Sequence, residues 1–219
     1  MPLRRDEQKA LQSAITVEVA KTTESIREAQ ALRHQVYYLE RKFLTADPGI
    51  KIDQDQFDRT AQHILVRRAS SREVIATSRV VRSQATVNGS ALPMHRYCCP
   101  TLLSGLPMKS MGEISRFAIS KQARDAATSG PIVRLALFRG ILEASQAMEL
   151  THWCALMEPS LIRLLSATGI QFTPLGPLVE ASGERQPCVA QISQVVLRGR
   201  ASHPHFYEAV APRTYSRAA

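Results

Sequence analysis

No apolar run in the 219 residues approaches the ~20 needed to cross a bilayer, so no integral membrane segment is expected. The opening Met1-Pro2-Leu3-Arg4-Arg5-Asp6-Glu7 leads into no apolar signal-peptide core, which points to a cytoplasmic protein. Cysteine is scarce. Cys98, Cys99, Cys154 and Cys188 make no Cys-x-x-Cys pair, so zinc-type spacing is absent and reduced, packed thiols are expected. The six histidines add no metal pattern, and His203-Pro204-His205 reads as a solvated loop, so no metal ligand is assigned. Aromatic residues make up only 5% of the chain, too few to stack many bases. No helix-turn-helix, zinc-finger or RNA-recognition pattern occurs either, and nucleic acid is therefore not the expected partner. Repeats and low-complexity segments are also missing.

What is present is an ordinary globular composition, 44% apolar and 21% charged. The length suits one domain, with a core over about 15–197 and a C-terminal tail over 198–219. A net charge of +9 asks for an anionic partner. Because the basic residues are scattered rather than blocked, an acidic protein fits better than a nucleic acid. The oligomeric state is not legible.

Hydropathy patterning predicts a strand at 15–20, then a helix from the cap Thr22-Thr23-Glu24 to about Lys42. A polar loop over 44–58 follows, with an Asp47-Pro48-Gly49 turn. A hairpin is expected over 63–81, an insertion over 84–112 and a strand over 113–120. Pro131 suits the first turn of an apolar helix ending near Glu149. A strand at 152–157 and a helix at 160–168 capped by Gly169 come next. Final strands are predicted at 171–175 and 188–196. This order implies an α/β (α+β) sandwich on a mixed, mostly antiparallel sheet.

The chemistry-bearing stretch is Glu113-Ile114-Ser115-Arg116-Phe117. In a strand, alternate side chains share a face, which puts Glu113, Ser115 and Phe117 together. An acid beside a hydroxyl can hold a water or an amine and take a proton from it. The same residues also fit a half-buried strand with a structural Glu–Arg pair. Upstream, Arg33, Tyr37 and Glu40 lie at helical spacing, followed by Asp53-Gln54-Asp55-Gln56-Phe57-Asp58, His63 and Ser78-Arg79.

The ordered set Arg33, Tyr37, Asp55-x-x-Asp58, Ser78-Arg79, Glu113-x-Ser115-Arg116 resembles the autoinducer-synthase branch of the GNAT acyltransferases. That branch contains the acyl-homoserine-lactone synthases and the N-acyl amino acid synthases. The resemblance spans roughly 15–197 and implies a GNAT-like sheet flanked by helices. It also implies acyl transfer from acyl carrier protein to the α-amine of an amino acid. No tightly bound cofactor is implied, since phosphopantetheine arrives on the carrier as a thioester. Glu113 and Ser115 would then be catalytic. The pantetheine arm would lie along the backbone of Phe117, Ala118 and Ile119. CoA-using members follow this strand with a glycine-rich phosphate loop. Here Ser120-Lys121-Gln122-Ala123-Arg124-Asp125 stands instead, with Lys121 and Arg124 as carrier-protein contacts or as a solvated turn.

Arg33, Asp55, Asp58, Arg79, Glu113 and Arg116 match the branch's charged cluster. It reads either as a polar cage over the substrate or as a scaffold between helix and sheet, and burial requires its charges to pair. Lactone synthases place a tryptophan that binds S-adenosylmethionine where this chain has Phe43. The segment Gly176-Pro177 through Gly183-Glu184-Arg185-Gln186-Pro187 resembles one of the N-acyl amino acid synthases and exosortase-associated acyltransferases. It makes Arg185 either a carboxylate ligand or a loop anchor. Phe138 and Trp153 are candidates for an acyl pocket within an otherwise plain core. Lactone synthesis from S-adenosylmethionine and a non-catalytic basic binding module are the alternatives.

Overall fold

The computed structural model describes residues 14–45, 49–83, 92–125, 129–204 and 207. The expected Asp47-Pro48 turn, the insertion's first residues (84–91), His205, Ala126-Ala127 and most of the C-terminal tail lie outside them. The strands are β1 (Ile15–Val19), β2 (Ala61–Arg68), β3 (Val74–Arg82), β4 (Met111–Ile119), β5 (His152–Met157), β6 (Thr173–Pro174), β7 (Val179–Glu180) and β8 (Glu184–Gln191). They form an eight-stranded sheet in the order β1-β2-β3-β4-β5-β8-β6, with β7 pairing β8. The β1–β2, β5–β8, β6–β8 and β7–β8 pairs are antiparallel, and β4–β5 is parallel. The expected mixed, mostly antiparallel α/β architecture is present.

Packing divides the chain into two compact units. The first comprises Met1–Asp58, Gln62–Arg79 and Arg116–Ala144, and the second comprises Arg59–Ala61, Val80–Ser115 and Ser145–Ala219. In the first unit, α1 (Thr23–His34) begins at a capping box. Thr22 Oγ1 accepts the Ser25 N–H at 3.1 Å and Ser25 Oγ accepts the Thr22 N–H at 3.1 Å. Leu32 and Val36 pack on Ala118 of β4, with Tyr37 and Val74 at the margin. The long helix α4 (Ser129–Ala147) presents Gly140 to the sheet, where a Cβ would collide with Ile64 and Val17. Only glycine permits this approach.

In the second unit, α2 (Pro100–Leu103) is a single turn, and β5 and β8 pair over six positions, from His152↔Gln191 to Met157↔Gln186. Trp153 is fully buried, donates its Nε1–H to Ser145 Oγ at 2.8 Å and stacks with Phe172 at 6.3 Å. Helix α5 (Pro159–Ser166) ends short of Gly169, whose φ of +81° suits the residue.

Several boundaries differ from expectation. The strand read at 188–196 ends at Gln191, and Ile192–Ser202 is a helix, α6, which takes up the start of the supposed tail. Its buried residues Ile192, Val195, Val196 and Gly199 recur at spacings of three and four, a helical face that a run of β-branched residues disguised. The strand at 171–175 shrinks to Thr173–Pro174. Met111 and Gly112, assigned to the insertion, open β4. The helix expected to reach Lys42 is α-helical only to His34 and continues as a π-helix over Gln35–Glu40.

Candidate active site

The first unit holds a closed network of three guanidinium and three carboxylate groups. Arg33 Nε lies 2.9 Å from Asp53 Oδ2, and its Nη2 lies 2.8 Å from Asp58 Oδ2. Arg33 Nη2 also donates to the Asp53 carbonyl. Arg79 reaches both Asp55 and Asp58 at 2.6 Å, and Arg116 reaches Asp53 at 2.7 Å and Asp55 at 3.5 Å. Arg33, Asp53, Asp58 and Arg79 are buried, where an unpaired charge would cost several kcal/mol. Three positive and three negative groups balance.

Burial pushes the Asp58 carboxyl up, but the hydrogen bonds and charges of Arg33 and Arg79 outweigh it and hold the group well below the carboxylate range. Asp55 is likewise lowered, its burial outweighed by Arg79 and Arg116. Two further residues complete the shell. Gln30 donates Nε2–H to Asp58 Oδ2 at 3.2 Å, and His63 places Nε2 3.2 Å from the Asp58 carbonyl. Burial lowers the His63 pKa, which favours the neutral ring. Asp53 and His63 stand in the upstream run read from the sequence without being assigned to the cluster, and Gln30 has no sequence signal. Asp53 had a usable signal, an acid two positions before Asp55 in the same loop.

Tyr37 sits on the π-helix, a form frequent at functional sites. Burial raises its pKa to about 12, opposed by the nearby Arg116 charge. The π-helix closes in a Schellman-like turn. Lys42 is left-handed at φ +53°, while the Phe43 N–H bonds the Tyr37 carbonyl at 2.8 Å. Such a turn favours a contact between the residue after the left-handed position and the last helical turn. Here the Phe43 and Tyr37 rings lie 6.2 Å apart. Arg116 stands 5.9 Å over Tyr37 and Arg41 stands 4.8 Å over Phe43, making a ladder Arg116–Tyr37–Phe43–Arg41.

Arg116 itself is left-handed at φ +55° inside β4. A non-glycine residue held there costs about 1–3 kcal/mol, which the ion pairs to Asp53 and Asp55 offset. The kink falls after Ser115, so the face expected for Glu113 and Ser115 does not extend to Phe117 by spacing alone.

In the second unit, Glu113 is buried and its Oε2 accepts the Met94 N–H at 2.7 Å. Burial and the Glu113 charge together raise the thiol pKa of Cys98, and they raise that of Cys154 well above normal. These thiols are therefore protonated packing groups. Ser115 is half-buried.

The remaining candidates scatter. Phe117 is half-buried and Ala118 and Ile119 are buried. The Ile119 carbonyl accepts Arg124 Nη1–H at 2.8 Å. Lys121 and Arg124 lie on a short helix, α3 (Lys121–Asp125), instead of in a turn. Lys121 pairs with Asp125 at 2.8 Å and Arg124 lies 3.6 Å from Glu40. Phe138 is buried on α4 in the first unit, and Trp153 belongs to the core of the second. Arg185 donates to the Ser182 and Glu184 carbonyls at 2.9 and 3.0 Å and lies 3.6 Å from Glu158, an anchor for its own hairpin. Among the described residues no cluster could hold a metal ion, and no helix is long and apolar enough to cross a membrane.

The family model of the acetyltransferase (GNAT) domain matches residues 32–132, the span holding the charged network. No curated protein matches the sequence. Solved structures that share the fold include the following three. FeeM, an N-acyl amino acid synthase from uncultured soil microbes, superposes with a TM-score of 0.65 at 15% identity, covering 86% of this chain and 96% of FeeM. BjaI, a CoA-dependent acyl-homoserine lactone synthase, gives 0.66 at 18% identity over 88% of this chain and 89% of its own. The AHL synthase LasI gives 0.61 at 17% identity, with 80% of this chain and 88% of LasI covered. Residues 32–132 thus match the GNAT acetyltransferase domain, and the chain shares its fold with solved acyl-homoserine-lactone and N-acyl amino acid synthases.

Proposed function

We propose that the protein transfers a fatty acyl group from acyl carrier protein to the α-amine of an amino acid. The amine nitrogen attacks the thioester carbonyl, the C–N bond forms, the C–S bond breaks, and the amine proton ends on the departing pantetheine thiolate. An amino acid amine is mostly protonated at neutral pH, so a base must act first. Glu113, with Ser115 two positions on, is assigned that role through a water. Phe117, Ala118 and Ile119 supply the backbone for the pantetheine arm, and Phe138 is assigned to the acyl pocket.

The observation that carries the donor assignment is α3. A helix rather than a glycine-rich loop follows β4, and Arg124 closes it onto the Ile119 carbonyl. A compact helix with side chains at every position offers less backbone to a CoA phosphate than a glycine loop does. The basic chain suits an acidic carrier, with Lys121 and Arg124 at the contact. LasI and BjaI are lactone synthases, so lactone synthesis from S-adenosylmethionine is the second reading.

Incubation with acyl carrier protein thioester and each amino acid, read by mass spectrometry, tests the assignment. An N-acyl amino acid is expected, formed faster from the carrier than from acyl-CoA and more slowly as salt screens the docking charges. A lactone formed only with S-adenosylmethionine would replace this reading with the second one. No product with any acceptor would leave a binding module.

A further inference from the structure

Glu40, the last residue of the π-helix, carries a carboxylate that the acyl-transfer chemistry does not use. Its Oε1 accepts the Gln35 Nε2–H at 2.7 Å. Its Oε2 is buried and takes no hydrogen bond among the described residues. Arg124 Nη2 of α3 lies 3.6 Å from that oxygen, an ion pair beyond hydrogen-bond reach. Arg124 is anchored at one nitrogen only. Nη1 donates to the Ile119 carbonyl at 2.8 Å, while Nε stands 3.8 Å from Asp125 Oδ1. Lys121, the other cation of α3, is paired with Asp125 at 2.8 Å. All these groups belong to the first unit.

Two cations, Lys121 and Arg124, are thus matched by two carboxylates, Glu40 and Asp125, and the group offers a polyanion no net charge. The two carboxylates differ in setting. Asp125 is exposed, so water and salt screen it, whereas the side chain of Glu40 is only 12% exposed and its charge reaches further. The arm assigned to Phe117, Ala118 and Ile119 ends beside Arg124, so the phosphate that joins it to a carrier or to a nucleotide meets these four groups. A carrier-linked arm brings a single phosphodiester. CoA brings a pyrophosphate and a further phosphate monoester, and each added negative charge is repelled by Glu40.

We propose that Glu40 is a donor-specificity residue, whose carboxylate offsets Arg124 enough to admit a phosphodiester and turn away the several charges of a CoA tail. This rests on the reading of the chain as a carrier-dependent acyltransferase and names the residue behind its donor preference.

The test titrates CoA, dephospho-CoA and pantetheine into the wild type, Glu40→Gln and Glu40→Ala by calorimetry, and measures turnover with acyl carrier protein and with acyl-CoA. The three ligands share the arm and differ in phosphate charge. Glu40→Gln should tighten CoA about tenfold, the effect of removing one like charge from a partly screened site. Dephospho-CoA should gain less and pantetheine nothing. The carrier-to-CoA ratio of kcat/KM should fall by a similar factor, and added salt should shrink the gain in CoA affinity. Glu40→Ala should give the same order, which assigns the effect to the lost charge and not to the new amide. Equal changes for pantetheine and CoA, no change for any ligand, or a gain confined to Glu40→Gln overturns the inference. Product formed from the carrier with an unaltered donor ratio overturns it and leaves the acyl-transfer reading intact. Binding graded by charge, lost in both variants, without product from any donor removes the acyl-transfer reading and leaves the role of Glu40 standing.

Discussion

The two units bury charge in opposite ways. In the first, three arginines and three aspartates close on one another, and each guanidinium meets two carboxylates. In the second, the Glu113 carboxylate is met by a backbone N–H, with the Cys98 and Cys154 thiols near enough to feel its charge. A balanced network fixes the elements that carry it, because each partner's loss strands another buried charge. The Glu113 carboxylate is the one proposed above to take a proton through a water. The comparison sets a paired ionic network beside the carboxylate proposed as the base.

The sharpest way to break it is to remove Asp58, which serves both Arg33 and Arg79. Asp58→Ala should cost about 3–5 kcal/mol, read as a lowered midpoint in urea, because two buried guanidinium groups lose a partner. Glu113→Gln should instead lower turnover ~10²-fold per folded molecule while leaving the urea midpoint nearly unchanged. A large stability loss with normal specific activity would return Glu113 to the scaffold.

Acid should affect the first unit in two stages. The His63 pKa is depressed from its ordinary 6.5, so the unfolded chain takes up that proton first. Its contribution is complete above pH 6.5 and is lost as pH falls towards the folded value. Asp55 and Asp58 are depressed from 3.8, and their contribution is lost below that, more steeply. Urea midpoints measured from pH 7.5 to 3 should therefore decline in two steps, and His63→Gln should flatten the first. The smallest expected effect is at Lys42, whose left-handed backbone strains a non-glycine residue. Lys42→Gly should stabilise by about 0.5–1 kcal/mol, visible as a modest rise in melting temperature.

Much of the fold followed from period and punctuation. Strand β1, the 61–82 hairpin, α4 and β5 each carry a pattern with one interpretation, bounded by turn residues. The 188–196 run failed because Val195 and Val196 favour strands locally, while tertiary packing turned Ile192 onward into a helix face. The π-helix was illegible, since Gln35–Glu40 has the same apolar spacing as an α-helix and differs only in which carbonyl each N–H reaches. For the site, residue types and order grouped Arg33, Asp55, Asp58, Arg79, Glu113 and Arg116, and the ion pairs of the first unit join all of these except Glu113, which belongs to the second. The same order named His63 without giving it a partner and did not reveal Gln30, whose contact with Asp58 spans 28 positions and leaves no local mark. Arg185 shows the reverse case, a guanidinium suited to a substrate carboxylate that holds its own turn.

Trp153 has a consequence beyond packing. It is the sole tryptophan in 219 residues, wholly shielded from water, and it lies in the second unit. Its indole emission is a built-in reporter for that half of the protein and is silent about the other, where the charged network sits. Circular dichroism of the backbone reads both halves. Melting curves from the two signals would superimpose if the units unfold as one cooperative body and separate if they do not, with no label added.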